Sequence, residues 1–163
     1  MIAGIASTPT ISRNNQSMLS RGCELAVPVP LLFGHAQHGG PIGDVVYMSK
    51  GENQIYIRAV IRDHEAGRYA WQLIRSGKLS GLSCGFHDES EAYHVQAEVD
   101  GVKFYDVFRI REVSIVHQPA NPDCRFHIYS AGTATESLSA DELDRFWSWY
   151  EQELRVRRGE CVH

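Results

Sequence analysis

The chain has few of the features that would place it in a specialised class. Its four cysteines, Cys23, Cys84, Cys124 and Cys161, are far apart and form no Cys-x-x-Cys pair. That spacing argues against structural zinc and fits reduced thiols in a cytosol. Basic clustering is also missing: the net charge is −4, and only Arg155, Arg157 and Arg158 group together. A nucleic-acid partner is therefore not expected. No apolar run approaches the ~20 residues that cross a bilayer. Met1-Ile2-Ala3-Gly4-Ile5-Ala6 lacks the basic start and long apolar core of a signal peptide, so neither membrane nor secretion is expected.

What is present is ordinary for a globular chain. With 163 residues, 43% of them apolar and 22% charged, it can bury a real core, most simply as one domain.

Read in order, Ile2 to Ala6 is a short strand closed by Pro9, and Ser12 to Ser20 is a polar loop. Glu24 to Phe33 is extended, with Pro28 and Pro30 suiting an edge strand or a strand entrance. Gly34 to Gly43 is a glycine-rich loop holding His35 and His38. Val45–Met48 and Gln54–Arg62 are strands around a turn at Lys50 to Asn53. The second places Ile55, Ile57, Ala59 and Ile61 on one face, Arg58 and Arg62 on the other. His64 to Ser76 is helical, with Asp63 as cap, Gly77 as stop and a buried stripe of Ala66, Tyr69, Ala70, Leu73 and Ile74. Leu79–Phe86, Ala92–Val99, Val102–Ile110, Glu112–Val116 and Arg125–Tyr129 read as strands, with a hairpin at Asp100-Gly101. The sum is mainly β with a few helices: a largely antiparallel sheet, sandwich or barrel. Ala131 to Ser137 has linker composition. A capping box at Ser139 then opens an amphipathic C-terminal helix carrying Leu143, Phe146, Trp147, Tyr150 and Leu154. That gives a domain over 1–130 and a linker and helix over 131–163.

Ser83 is flanked by glycines as Gly81-x-Ser83-x-Gly85. Glycine there permits a sharp turn or a close approach of another chain. The spacing matches the nucleophile elbow of α/β-hydrolases, but that elbow runs from strand to helix. Here a helix precedes the serine and a strand follows, so the elbow is excluded. A serine needs a base to accept its proton. His35 in its loop and Glu112 at the head of a strand supply a general base and an orienting carboxylate. Other assignments stay open on residues alone. His117 competes with Glu112 as third member, Cys84 could act as a thiol nucleophile, and His35 with His38 could hold a metal that lacks a third ligand.

Four stretches in register then resemble the tailed-phage prohead (capsid maturation) proteases. They are Ile5-Ala6-Ser7-Thr8-Pro9; Pro30-Leu31-Leu32 ahead of His35 with Pro41-Ile42-Gly43; Ser76-Gly77 before Gly81-Leu82-Ser83-x-Gly85-Phe86; and Glu112-Val113-Ser114-Ile115-Val116-x-x-Pro119-Ala120-Asn121-Pro122. The resemblance runs from about Ile2 to Tyr129. That family is similar in fold to the herpesvirus assemblins, which implies a closed or nearly closed β-barrel. It also implies Ser83 as nucleophile, His35 as base and Glu112 where phage members carry an acid. The sequence departs from the family at Ala36, where an acid often follows the histidine, at Cys84, usually aliphatic, and in the Ser12–Ser20 loop.

The resemblance implies a serine endopeptidase that trims capsid or scaffold proteins inside an immature shell in the host cytoplasm. The major capsid protein and a scaffold segment would be its substrates, a homodimer is possible, and no cofactor is required. The backbone near His117 and Gln118 is expected to supply the oxyanion hole. The alternative is an inactive capsid-assembly protein of the same fold.

Overall fold

Two sheets frame the part of the chain that the computed structural model describes, residues 1–36, 39–86 and 94–129. The strands in chain order are β1 (Ile2–Ser7), β2 (Gln16–Met18), β3 (Cys23–Glu24), β4 (Val29–Phe33), β5 (Gly43–Lys50) and β6 (Ile55–Ile61). Helix α1 (Glu65–Arg75) follows, then β7 (Gly81–Gly85), β8 (His94–Val99), β9 (Val102–Arg109), β10 (Glu112–Val116) and β11 (Phe126–Ile128). The larger sheet has the order β11-β1-β6-β5-β4-β10-β7. Its two edges come together where Leu82 N–H donates to the Cys124 carbonyl (2.9 Å) and Phe126 N–H to that of Ser80 (3.1 Å). The sheet is thus barrel-like and nearly closed, which leaves little free edge for stray pairing. These strands form one compact unit over Met1–Ile128.

Alternation builds the core. Ile55, Ile57 and Ala59 of β6 are 0% exposed, and each buried isoleucine contributes about 1.5–3 kcal/mol of transfer free energy. Ile2, Leu31, Leu82, Val113 and Ile115 complete the interior from the neighbouring strands. The β8–β9 hairpin turns at Asp100 (φ 50°) and Gly101 (φ 75°), the two left-handed residues that a two-residue hairpin of this hand requires.

Several expectations need correction. The Ser12–Ser20 stretch is not all loop: β2 lies within it and pairs parallel to β9. The sheet is not wholly antiparallel, because β4 also runs parallel to β10 and β3 to β9. Strand β4 is interior rather than an edge. Pro30 is tolerated because pairing to β10 begins only at Leu31, so the missing N–H sits at the strand entrance.

Helix α1 is capped not by Asp63 but by His64, whose Nδ1 accepts the Gly67 N–H at 3.2 Å. The Asp63 carboxylate instead accepts from Arg68 at 2.9 Å. Tyr69 is 55% exposed and so falls outside the buried stripe. Its ring meets Phe33 edge-on at 6.1 Å. Gly77 (φ 73°) does end the helix, with Gly77 and Lys78 N–H groups satisfying the carbonyls of Ile74 and Leu73. The proposed C-terminal helix and linker lie outside the described residues, as does His38.

Candidate active site

The site assembles where β4, β7 and β10 lie side by side. Strand β10 is buried on both faces, and its period of two puts Glu112 and Ser114 on one side, Val113 and Ile115 on the other. Antiparallel pairing sets Gly85 opposite Glu112, Ser83 opposite Ser114 and Gly81 opposite Val116. Ser83 therefore shares a face with Glu112 and Ser114, while Cys84 projects to the opposite face. There its Sγ donates to the Ala6 carbonyl at 3.0 Å. Burial pushes the Cys84 thiol well above its ordinary pKa, so it does not supply a thiolate near neutral pH.

His35 arrives from the end of β4, which pairs alongside β10. The chain leaves that strand through two successive left-handed residues, Gly34 (φ 60°) and His35 (φ 62°). A non-glycine residue held there stores strain that surrounding bonds must offset. Three do so: Gly34 N–H donates to the Ile115 carbonyl (3.1 Å), Ala36 N–H to that of Phe33 (3.0 Å) and His35 N–H to Ser114 Oγ (3.0 Å).

The ring so placed bridges two side chains. Its Nε2 is 2.9 Å from Ser83 Oγ and its Nδ1 is 2.7 Å from Glu112 Oε1. The second carboxylate oxygen, Oε2, accepts from the Ser114 hydroxyl at 2.8 Å. The imidazole side chain is 47% exposed, the Glu112 side chain only 7%. The His35 pKa is raised above its ordinary value, first by the hydrogen bond its Nδ1 makes to Glu112, against a smaller opposing effect of burial, with the carboxylate's charge adding to the rise. Both ring nitrogens are thus engaged by protein groups, which removes the motive for a metal at His35. Among the described residues, no cluster of three or more His, Cys, Asp or Glu could hold a metal ion. His117 lies apart from this chain of contacts, its Nδ1 bonded to the Lys78 carbonyl at 2.9 Å.

The two glycines of the Gly-x-Ser-x-Gly motif have a reason that spacing alone does not reveal. A Cβ on Gly85 would lie 2.2 Å from Glu112 Oε1, and one on Gly81 would lie 2.6 Å from Pro119 Cδ. They are bare so that a carboxylate and a proline can rest on β7, not to turn the chain.

A cavity of 690 Å³ opens beside Ser83 and His35. Its walls mix apolar Met18, Leu82 and Phe86 with Thr10, Asn14 and Gln16 of the segment before and within β2. The turn after β10 reaches this cavity at Ala120 and Asn121 rather than at His117 and Gln118. Asn121 ties that turn to the segment after β1, donating from Nδ2 to the Thr8 carbonyl (3.0 Å) and Thr8 Oγ1 (2.9 Å). Arg13 N–H donates to the Ala120 carbonyl at 2.9 Å, and Thr10 Oγ1 to Asp123. Sequence reading marked these two stretches as motifs without seeing that each holds the other in place.

Comparison with known proteins follows the same lines. A family model described as caudovirus prohead serine protease matches residues 3–138. A capsid polyprotein of Pseudomonas phage PAJU2 is 34% identical over 93 residues, which is 53% of this chain. The chain spans only 14% of that polyprotein. Among solved structures, KSHV protease in complex with a hexapeptide phosphonate inhibitor is similar with a TM-score of 0.54 at 12% identity. The likeness covers 93% of this chain and 75% of that one. At such low identity it speaks for the fold, an assemblin-like, nearly closed barrel.

Proposed function

Since the chain belongs to the caudovirus prohead serine protease family, we propose that it is a serine endopeptidase that cleaves capsid or scaffold protein inside immature proheads in the host cytoplasm. Ser83 is the nucleophile, His35 the general base and Glu112 the group that orients it. The observation that supports this best is the unbroken run from Ser83 Oγ to His35 Nε2 (2.9 Å) and from His35 Nδ1 to Glu112 Oε1 (2.7 Å). Three distant sequence segments converge there on hydrogen-bonding distances that base catalysis requires.

In this reading the Nδ1 proton stays on the Glu112 side, leaving the Nε2 lone pair to accept the Ser83 proton as Oγ attacks the scissile carbonyl carbon. The imidazolium so formed is stabilised by the buried carboxylate. It then returns its proton to the leaving amine, and water admitted to Nε2 releases the acyl group by the reverse sequence. The negative oxygen of the tetrahedral intermediate needs donors that are fixed in advance. We assign these to backbone N–H groups of the turn after β10, at Ala120 and Asn121, because that is where the turn meets the cavity. This replaces the expected position near His117 and Gln118.

A fluorophosphonate probe tests the assignment. Intact-mass analysis is expected to show a single adduct on Ser83 and none on the Ser83→Ala protein. Losing a triad serine costs on the order of 10⁶ in rate, so Ser83→Ala should also abolish processing of co-expressed capsid protein. A folded wild-type protein that takes no label and processes no capsid protein would instead be a capsid-assembly protein that kept the fold without the chemistry.

A further inference from the structure

Ser114 sits at the centre of the site yet takes no part in moving a proton. It is 0% exposed and lies directly across the ladder from Ser83. Its oxygen accepts the His35 backbone N–H at 3.0 Å, and its hydroxyl donates to Glu112 Oε2 at 2.8 Å. A hydroxyl can usually rotate between partners. Here the N–H can only donate and the carboxylate, when ionised, can only accept, so the hydroxyl proton has one place to go. We infer that Ser114 is a positioning residue: one hydroxyl holds the Glu112 carboxylate and the His35 backbone in a common frame, so the carboxylate meets Nδ1 squarely.

The need for such a residue follows from the chemistry of glutamate. Its side chain has one more rotatable bond than aspartate, and a carboxylate tethered at one oxygen can swing about its last bond. Ser114 fixes the second oxygen. Gly85 completes the frame from the other side, because Oε1 rests 2.2 Å from the place where a Cβ would stand. The frame also restrains the left-handed turn at His35, since one of its three backbone bonds ends on the same hydroxyl.

This inference rests on the reading of His35 and Glu112 given above, so its test must separate the two. The rate of fluorophosphonate labelling of the full chain reports base activation of Ser83. Ser114→Ala is expected to slow it about 10- to 100-fold, the usual cost of a lost hydrogen bond to a charged group. In a Glu112→Ala background the same change is expected to cost clearly less, because the part of its effect that passes through the carboxylate is already lost and only its hold on the His35 N–H remains. Equal losses in both backgrounds, or no loss in the wild type, would overturn the inference. If Ser114→Ala does not fold, Gly85→Ala disturbs the same carboxylate from β7 and is expected to slow labelling in the same range; an unchanged rate would count against the frame.

A second readout does not depend on catalysis. In the Ser83→Ala protein, NMR titration of the His35 ring is expected to show a midpoint that Ser114→Ala moves down towards the ordinary histidine value. Among the described residues, Glu112 on β10 is the charged group acting on this ring, while Ser83 on β7 and Ser114 on β10 are neutral. A midpoint that stays or rises would refute the inference even if Ser83 proved to be the nucleophile. A midpoint that falls while Ser83 takes no label would leave the frame standing and remove the protease reading alone.

Discussion

Glu112→Gln gives the sharpest test of the proposed proton path, because the structure dictates which way the new amide must face. In the wild type, Oε2 accepts from the Ser114 hydroxyl (2.8 Å) and Oε1 faces His35 Nδ1 (2.7 Å). If Ser114 reversed its role, its hydroxyl proton would lose the acceptor it has in this buried position, Glu112 Oε2, while its oxygen goes on accepting the His35 N–H at 3.0 Å. The amide must therefore offer its carbonyl oxygen to Ser114, which turns its NH₂ towards Nδ1. An NH₂ can only donate, so the ring is forced to carry its proton on Nε2. A protonated Nε2 can no longer accept from Ser83, 2.9 Å away. The equivalent acid-to-amide change in the serine protease template costs about 10⁴ in kcat through this wrong tautomer, and a similar loss is expected here. Shape is nearly conserved, so melting should stay within about 1 kcal/mol of the wild type. Adding Ser114→Ala frees the amide to flip and is expected to recover part of the lost rate, about 10-fold, although the same change slows the wild type. Single-turnover cleavage of capsid protein, or labelling followed by intact mass, measures both effects. A Glu112→Gln protein within 10-fold of the wild type, or a double variant slower than the single, would refute the path.

Further outcomes follow from the same geometry. His35→Ala should match Ser83→Ala in abolishing processing, whereas His38→Ala should process normally; the reverse order in a capsid co-expression assay would put the base at the wrong histidine. The rate should rise with pH as His35 loses its proton, with an inflection above the ordinary histidine value of about 6.5, because Glu112 raises the folded-state pKa. The sign for stability is opposite: the interaction with charged His35 is fully present below the unfolded-state pKa and is lost as pH rises through the folded one. A pH–rate profile and melting curves over pH 5 to 9 check both directions. Deleting Thr135–His163 should leave the melting temperature nearly unchanged and Ser83 reactive, while reducing self-association or packaging into the shell. Thermal melting and light scattering decide this, and a marked melting loss in a monomeric truncated protein would show that the tail is part of the core.

Elements ruled by local periodicity were legible in the sequence. The alternation of Ile55, Ile57 and Ala59 marked β6, the Asp100-Gly101 pair marked the β8–β9 hairpin, and the apolar spacing around Ala70 and Ile74 marked α1. Each depends on residues within a few positions of one another, so the pattern and its cause share one short window. The cap of α1 was misread because Asp63 and His64 are both able to cap. Only the three-dimensional path shows Asp63 turned towards Arg68.

The candidate site divides along the same line. His35 and Ser83 stood out through their glycine-rich surroundings and the resemblance they carry. What only the tertiary structure decided was which long-range partners those residues meet. Parallel pairing of β4 with β10 brings His35 beside Glu112, and the antiparallel pairing of β10 with β7 brings Ser83 beneath the ring. Glu112 rather than His117 faces Nδ1 because strand register sets its distance, and nothing local encodes that register. The bare backbones of Gly81 and Gly85 and the hydroxyl of Ser114 have meaning only against Pro119, Glu112 and His35, which lie tens of residues away. Sequence alone supplied the reactive groups; the pairing of strands far apart in the chain set the distances between them.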